Sequence, residues 1–382
     1  MTLLPAGGHS LAALAASVYL ERLARAAAEA GSRSLDGVLI TPSRDFEYLL
    51  GYRAPGMERL TCLVIPATGR PTLVVPKLEA PLARHRLGPL ADDVELVDWG
   101  ETDDPFRIVQ GLLEGAARRI GVQDQMWARF VLRLRAMLDP VELVPAGPIL
   151  AALWRVKRPE EVQLLRDVAA AADEAMLAIT AEQLSGRSEE EVSRRIRELL
   201  IAAEHDTADF AIVGSGPNSA SPHHEPSERI IQAGDAVVLD IGGTRAGYCS
   251  DTTRTAFVGE APAEFRELYD VLQAAQAAAC EAVGPGVAAE SVDAAARRVI
   301  DDAGYGERFI HRTGHGIGME THEEPYLVAG NDSPLTPGNA FSIEPGIYIE
   351  GRWGARIEDI VVCTDDGGER LNLTPRDLYV VQ

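Results

Sequence analysis

Two aspartates lie in apolar, strand-forming sequence on either side of a glycine-rich segment. The run Ala-Val-Val-Leu at 236–239 leads to Asp240, and a second extended run, after a glycine-rich turn at 242–247, leads to Asp251. A buried aspartate is costly unless a cation meets it, and two aspartates on adjacent strands repel each other. The segment therefore predicts two paired strands that hold a metal ion.

A second carboxylate-bearing hairpin is predicted further along the chain. Residues 340–349 and 355–363 are strand-forming and flank a turn at 351–354, with Glu344 before the turn and Glu358 after it. Any one of these acids alone could be a salt-bridged or surface residue. If the two hairpins pack face to face, the four carboxylates would require about two divalent cations and a nitrogen donor.

His315 is the candidate nitrogen donor, because it stands in Gly-His-Gly-Ile-Gly, where the flanking glycines allow close approach of the backbone. The sequence has eight histidines, and five of them lie between 223 and 322: His223, His224, His311, His315 and His322. Each alone could be a core or surface residue, and we expect one or two of the five to be bystanders.

Carboxylate ligands with one imidazole suit Mn, Co, Fe or Zn. Two such ions a few ångströms apart would hold a bridging hydroxide, lower its pKa and polarise a carbonyl, which predicts hydrolysis. Other catalytic patterns are absent from the sequence: it has no G-x-S-x-G, no H-E-x-x-H and no C-x-x-C. Gly-Ser-Gly-Pro at 214–217 is interpreted as a turn, since no helix follows and the proline lacks an amide.

The elements that position these residues recur in the same order. Helices are predicted at 159–181 and 188–203, before the first hairpin, and at 262–283 and 290–303, before the second. Ser188 and Glu191 have the spacing of a capping box. The order predicts an α+β domain that is duplicated about a pseudo-twofold axis.

The N-terminal part alternates between helix and strand patterns and predicts an α/β domain. A hairpin is predicted from 60–65 and 71–76, a strand at 48–52, and helices at 10–30 and 105–117. A segment rich in proline and glycine at 145–159 places the boundary, which gives domains of residues 1–150 and 151–382.

Composition limits the possible partners and location. The formal net charge of −22 argues against nucleic acid and anionic membranes, since both attract basic surfaces. The four cysteines form no metal-binding pair and suit a reducing compartment. No stretch reaches the ~20 apolar residues of a membrane span, and the apolar run at 11–20 is interpreted as an amphipathic helix, not a signal peptide. We expect a cytoplasmic protein.

The sequence resembles the M24-type "pita-bread" metallopeptidases, which include methionine aminopeptidase, aminopeptidase P and prolidase. LDIG-x7-SD, TGHGIG, SIEPGIY and RIEDIVV occur in this order. The resemblance implies two divalent ions, with manganese expected first and Co, Zn or Fe as alternatives. It also implies five metal ligands: Asp240, Asp251, His315, Glu344 and Glu358. Asp251 and Glu358 would bridge the ions, Asp240 would complete one shell, and His315 and Glu344 the other. Glu344 would also accept a proton from the attacking water.

The N-terminal part resembles the creatinase-like domain that precedes the catalytic domain in the proline-specific branch of that family. Methionine aminopeptidase lacks this domain, so the proline-specific branch is favoured. By resemblance, His223, His311 and His322 would line the substrate pocket, and His223 and His322 would stabilise the tetrahedral intermediate. Arg356 would support a metal-binding carboxylate. The adjacent His224 leaves the assignment of His223 ambiguous by one residue.

The resemblance implies an Xaa-Pro dipeptidase that forms a homodimer. Aminopeptidase P activity on longer peptides is the main alternative, and a creatinase-like hydrolase or an inactive binding module is less favoured because all five ligands are present. A dipeptidase would need a cation for the free carboxylate of its substrate, for which Arg53 and Arg59 are candidates.

Overall fold

The computed structural model describes residues 14–113 and 118–382 and divides into two compact units, Met1–Trp154 and Arg155–Gln382. The predicted helices at 10–30 and 105–117 extend at one end into residues outside the described ranges. Within those ranges, no helix is both long and apolar enough to cross a membrane.

The first unit is a six-stranded mixed sheet with helices. Its strands are β1 (Gly37–Ile40), β2 (Cys62–Pro66), β3 (Thr72–Pro76), β4 (Glu95–Trp99), β5 (Arg119–Val122) and β6 (Glu142–Pro145). Its helices are α1 (Ala16–Ser32), α2 (Arg44–Leu50), α3 (Ala80–Leu87), α4 (Pro105–Leu113), α5 (Ala128–Leu138) and α6 (Gly147–Trp154). The strand order is β4-β3-β2-β1-β5-β6, and the predicted hairpin is the antiparallel pair β2–β3.

The predicted strand at 48–52 is wrong, because these residues belong mostly to helix α2. The Ser43 side chain accepts a hydrogen bond from the Phe46 amide and so caps the helix, and Gly51 ends it with a left-handed φ of 75°. The end of the first unit, in contrast, is held by a long-range hydrogen bond. The Tyr48 hydroxyl donates to the Leu153 carbonyl, which ties α6 to α2, and the predicted boundary at 150/151 falls inside α6.

The second unit contains the two predicted helix pairs and hairpins. Its helices are α7 (Pro159–Ala181), α8 (Glu189–Ala202), α9 (Ala263–Glu281) and α10 (Ala289–Asp302). The first half contributes β7 (Thr207–Ser215), β8 (Ala236–Arg245), β9 (Tyr248–Cys249) and β10 (Thr252–Val258). The second half contributes β11 (Gly314–Gly316), β12 (Glu323–Leu327), β13 (Ala340–Ile343), β14 (Gly346–Ile349), β15 (Trp353–Arg356), β16 (Asp359–Thr364), β17 (Gly367–Arg370) and β18 (Tyr379–Val381).

The described strands form two five-stranded sheets, and β18 of the second half joins the sheet of the first half. One runs β18-β10-β8-β7 with β9 paired to β8, the other runs β12-β11-β13-β16-β17, and β14 and β15 form a separate ribbon. The predicted pair of strands around the glycine-rich segment is confirmed, since β8 and β10 are antiparallel. The predicted capping box of Ser188 and Glu191 is also present at the start of α8.

The glycine-rich turn is shorter than predicted, because Gly242 and Gly243 lie inside β8 and the chain reverses at 246–247. A Cβ on Gly242 would lie 2.4 Å from the Ser250 carbonyl oxygen, and one on Gly243 would lie 2.2 Å from the Thr207 carbonyl oxygen. Glycine is therefore required for the close approach of the neighbouring backbone.

A fully buried ion pair joins the two sheets. Arg254 on β10 donates to Asp359 Oδ1 on β16 at 2.6 Å, and both side chains are 0% exposed. Arg254 also donates to the Glu358 carbonyl oxygen at 2.7 Å, beside an antiparallel bridge between Thr253 and Glu358. A buried charge must be paired and hydrogen-bonded, so this pair requires the two sheets to keep one relative position.

A buried carboxylate organises the segment that follows β7. Glu189, the first residue of α8, accepts hydrogen bonds from Ser227 Oγ at 2.6 Å, Ser215 Oγ at 2.7 Å, His224 Nε2 at 2.8 Å and Asn218 Nδ2 at 3.1 Å. These bonds outweigh the effect of burial and lower the pKa of Glu189 to about 2. The Glu189 side chain thus holds both ends of the segment between Ser215 and Ser227.

We expect Glu189→Gln to destabilise the protein by roughly 3 kcal/mol at pH 7, because a depressed carboxyl pKa stabilises the fold above the unfolded-state pKa. This contribution is lost as the pH falls from about 5 towards 2, so the difference from wild type should shrink over that window. Urea unfolding of both proteins at several pH values measures it. Glu190→Gln, at an exposed neighbour, is the control, and equal stability of the two variants at pH 7 would contradict the assignment.

Candidate metal centre and active site

The five predicted ligands come from five places in the two hairpins and the strand beside them. Asp240 lies in the middle of β8, and Asp251 directly precedes β10. Glu344 lies between β13 and β14, and Glu358 lies between β15 and β16, where the hairpin strands are interrupted. His315 is the central residue of β11. Each interruption turns a carboxylate out of the strand ladder.

The structure brings all five side chains to one cavity of about 630 Å³. One ligand atom from each of Asp251, His315 and Glu358 lies within 4.8 Å of the others. His315 Nε2 is 3.7 Å from Asp251 Oδ2 and 3.3 Å from Glu344 Oε1. These distances allow one ion to be shared among several of the residues.

The carboxylates are crowded as well as buried. Burial, together with neighbouring carboxylates, raises the pKa values of Asp251 and Glu358 well above their ordinary range. Burial raises the pKa of Glu344 to about 7, and Asp240 adds to the effect. Because burial removes these carboxylates from water, the site favours a cation that stabilises their negative charge.

Arg356 supplies one positive charge and is fully engaged. Its Nη2 donates to Asp240 Oδ2 at 2.5 Å, its Nε to Thr253 Oγ1 at 3.1 Å, and its Nη1 to the Tyr348 hydroxyl at 3.0 Å and the Pro222 carbonyl at 3.3 Å. The predicted contact between Arg356 and a carboxylate of the site is present.

The donor set fits a divalent metal. Asp240 Oδ1 is buried and has no hydrogen-bond partner among the described residues. His315 Nδ1 lies 3.1 Å from the Gly316 carbonyl, which orients the ring so that Nε2 faces the carboxylates, and burial lowers the pKa of His315 to about 3. A neutral imidazole held through its second nitrogen is the usual form of a metal ligand.

The four other histidines between residues 223 and 322 have different surroundings. His223 lines the cavity, whereas His224 is bound to Glu189 and does not line it. The His322 ring lines the cavity and lies 4.0 Å from the His315 ring, centroid to centroid. His311 also lines the cavity, but its Nε2 contacts the Tyr348 hydroxyl at 2.9 Å and its Nδ1 contacts the Arg312 carbonyl at 2.8 Å.

Sequence reasoning missed several residues of this site. Phe210, Ile212 and Arg312 line the cavity, and Tyr348 joins His311 to Arg356. The position of Arg312 beside the Gly-His-Gly segment was an available signal. Phe210 and Ile212 gave no such signal, because their strand, β7, has an ordinary apolar pattern.

A buried ion pair supports the loop between His315 and His322. Lys157 Nζ donates to Glu323 Oε1, and both side chains are 2% exposed. A Cβ on Gly318 would lie 2.9 Å from both the Glu323 carboxylate and the Lys157 side chain, so a larger residue there would displace this buried pair. The buried Lys157–Glu323 pair thereby anchors the backbone next to His322.

The arginines proposed from the sequence for a substrate carboxylate lie in the first unit. Arg59 is paired with Glu79 at 3.0 Å and with Glu101 at 3.1 Å, and Arg53 is exposed. The charge of Arg59 is therefore already compensated within that unit.

The chain resembles known proteins along nearly its whole length. It is 48% identical to the probable dipeptidase PepE of Mycobacterium tuberculosis, over 96% of this chain and 97% of that protein. It is 32% identical to the Xaa-Pro dipeptidase of Pyrococcus horikoshii, over 90% of this chain and 95% of that protein. The crystal structure of dipeptidase PepE from Mycobacterium ulcerans matches with a TM-score of 0.90 and 48% identity, covering 96% of this chain and 99% of that one.

Two family models divide the chain between them. Residues 22–155 match the creatinase/prolidase N-terminal domain, and residues 163–365 match metallopeptidase family M24. The second range contains all five clustered donors, and the cluster is of the kind that a divalent-metal peptidase requires. The protein is accordingly a member of metallopeptidase family M24, in its creatinase- and prolidase-like, proline-specific branch.

Proposed function

We propose that this protein is a metal-dependent Xaa-Pro dipeptidase, which hydrolyses the bond before the proline of a dipeptide. The observation that carries the proposal is the convergence of four carboxylates and one neutral imidazole on a single cavity. The names of the relatives in the M24 family support the choice of a proline dipeptide as substrate.

Asp240, Asp251, His315, Glu344 and Glu358 would hold two divalent ions, with Asp251 and Glu358 shared between them. The charge supports two ions, since Arg356 pairs with Asp240 alone and leaves the other three carboxylates without a guanidinium partner. When bound, the ions would supply an acidified water and would polarise the scissile carbonyl. We propose manganese first, and Co, Zn or Fe as alternatives.

Glu344 is the proposed proton acceptor for the attacking water. Its side chain is 16% exposed to the cavity, against 6% for Asp251, so it is the more accessible of these two carboxylates. Ser342 Oγ donates to Glu344 Oε1 at 3.3 Å, which leaves the other oxygen available. A carboxylate that accepts this proton can return it to the leaving proline nitrogen.

His223 and His322 are proposed to stabilise the negative charge that develops on the scissile carbonyl oxygen. Both are exposed within the cavity wall, and neither ring has a hydrogen-bond partner among the residues that the structure describes. Their donors are therefore free for a substrate. Arg356 and His311 are proposed to act behind them, by fixing Asp240 and Tyr348.

We also propose a cytoplasmic homodimer with a catalytic domain that begins near residue 151. All four cysteines are unpaired, and Cys62, Cys249 and Cys363 are buried, which suits a reducing compartment. Light scattering of the purified protein measures the oligomeric state.

We expect Asp251→Asn to lower kcat/KM by about a thousandfold or more, because the loss of a shared ligand removes several kcal/mol of transition-state stabilisation. Metal content, measured by mass spectrometry after gel filtration, should fall in parallel. Asp270→Asn, at an exposed position on α9, is the matched control. Near-normal turnover by Asp251→Asn would refute a two-metal site built on this residue.

The substrate class is decided by comparing Ala-Pro, Ala-Pro-Ala and Ala-Ala after the metal-free protein has been loaded with Mn, Co, Zn or Fe. We expect turnover of Ala-Pro, little turnover of Ala-Ala, and loss of activity on chelation. Cleavage of Ala-Pro-Ala alone would replace the dipeptidase assignment with an aminopeptidase P. No cleavage of any peptide would favour a non-peptide hydrolase or a binding module.

A further inference from the structure

Two side chains on helix α10 contact the chain segment that leads into the active site, although neither is among the described residues that line the cavity. Asp293 and Arg297 are one helical turn apart and form an ion pair, with Arg297 Nε 2.7 Å from Asp293 Oδ2. The Asp293 side chain is only 2% exposed. A carboxylate buried this deeply is costly unless its oxygens accept hydrogen bonds, so its partners indicate its role.

The partners of the pair belong to the segment that precedes β11. Asp293 Oδ1 accepts hydrogen bonds from the Thr313 amide at 3.0 Å and from the Thr313 hydroxyl at 2.7 Å. Arg297 donates to the carbonyl oxygens of Phe309, at 3.2 Å, and His311. Its guanidinium carbon also lies 4.3 Å from the centre of the Phe309 ring. The ion pair therefore fixes three residues of a segment that forms neither helix nor strand.

This segment carries or contacts residues to which catalysis is assigned. His311 lines the cavity, and the Thr313 carbonyl accepts a hydrogen bond from the Glu344 amide at 2.8 Å. His315 follows two residues after Thr313, and its amide donates to Ser342 Oγ at 3.1 Å. The same hydroxyl donates to Glu344 Oε1 at 3.3 Å. A shift of Thr313 would therefore move both the candidate imidazole ligand and the proposed proton acceptor.

The first half of the unit contains an equivalent helix, which allows a comparison within the molecule. Helices α8 and α10 both have 14 residues and begin at residues 189 and 289. The same amide-to-carbonyl bond of 3.0 Å closes the turn after each helix, from His205 to Leu200 and from Tyr305 to Ile300. The positions that correspond to Asp293 and Arg297 are therefore Ser193 and Arg197.

The first half uses these two positions differently. Ser193 donates to the Ala211 carbonyl at 2.7 Å, and Arg197 donates to the Ala208 carbonyl at 2.7 Å. Both carbonyls belong to β7, which is also held by its antiparallel ladder with β8. A neutral serine thus suffices beside a regular strand. The charged pair occurs beside the irregular segment that carries His311, where bonds from side chains replace those of a ladder.

We propose that Asp293 and Arg297 are positioning residues of the active site. By holding the segment before β11, they keep His315 Nε2 within 3.3 Å of Glu344 Oε1. The proposal rests on the metallopeptidase function proposed above, in which His315 and Glu344 would complete the shell of one metal ion. Asp240 lies on β8 in the other sheet, so the ion that it would complete does not depend on this segment.

The first test is a calorimetric titration of the metal-free protein with Co²⁺, in which wild type should bind two ions. We expect Arg297→Met to weaken the binding of one ion by about 10- to 100-fold, the usual cost of removing a group that orients a metal ligand, and to leave the other unchanged. Arg297 is 31% exposed, and methionine keeps a long side chain against Phe309, so the fold should tolerate this change.

Turnover of Ala-Pro by the loaded protein is the second readout. Arg297→Met should lower kcat by about 10- to 100-fold with a smaller change in KM, because the proton acceptor is displaced while the rest of the cavity is kept. Arg297→Lys, which keeps a charge beside Asp293, should recover part of the loss. Arg197→Met is the matched control, since it removes the equivalent contact from the first half, and it should bind both ions and turn over as wild type does.

Asp293→Asn tests the other member of the pair, because its amide oxygen can still accept from Thr313 while the charge beside Arg297 is lost. We expect a smaller loss in the same direction. The proposal is overturned if Arg297→Met and Asp293→Asn behave like Arg197→Met, or if their losses only follow the unfolded fraction measured in urea. Wild type that binds Co²⁺ without cleaving peptides would contradict the proposed function alone, since the titration still decides on the pair. Wild type that binds no ion would refute both.

Discussion

The second unit buries four carboxylates of which only Asp240 has a guanidinium as a hydrogen-bond partner among the described residues. Of the four carboxylates, Arg356 engages only Asp240, and the remaining negative charge is concentrated where Asp251, Glu344 and Glu358 meet. An apolar protein interior cannot hold such charge unless cations or protons neutralise it. The fold can persist because other bonds hold these residues together, and the same unfavourable charge gives the site its affinity for divalent ions.

Those other bonds are placed directly beside the ligands. The Arg254–Asp359 pair lies next to Glu358 in sequence and contacts its carbonyl oxygen. Gly242 and Gly243 allow the neighbouring backbone to approach β8 closely, near Asp240. Glu189 anchors the segment that carries His223, and Lys157 anchors the one that carries His322. The cavity wall is thus held by neutralised ion pairs and compact backbone, independently of the metal.

The five proposed ligands could be picked out from the sequence because a charged residue inside an apolar strand is a local anomaly, and the structure places all five around one cavity. The sequence did not indicate the partners of Arg254, Glu189 or Lys157, because each pairs with residues far away in the chain. The false strand at 48–52 arose because its apolar residues fit both periods, and the capping by Ser43 and Gly51 decided for a helix. The ambiguity between His223 and His224 depended on a single contact with Glu189, which only the fold places.

The parallel pairing of β18 with β10 has a consequence for biosynthesis. Residues 379–381 complete the sheet of the first half, and the Gln382 carbonyl accepts from the amides of Leu184 and Ser185. Every other strand of both sheets leaves the ribosome before this one. The first half of the catalytic unit therefore remains an incomplete sheet until residues 379–381 have emerged.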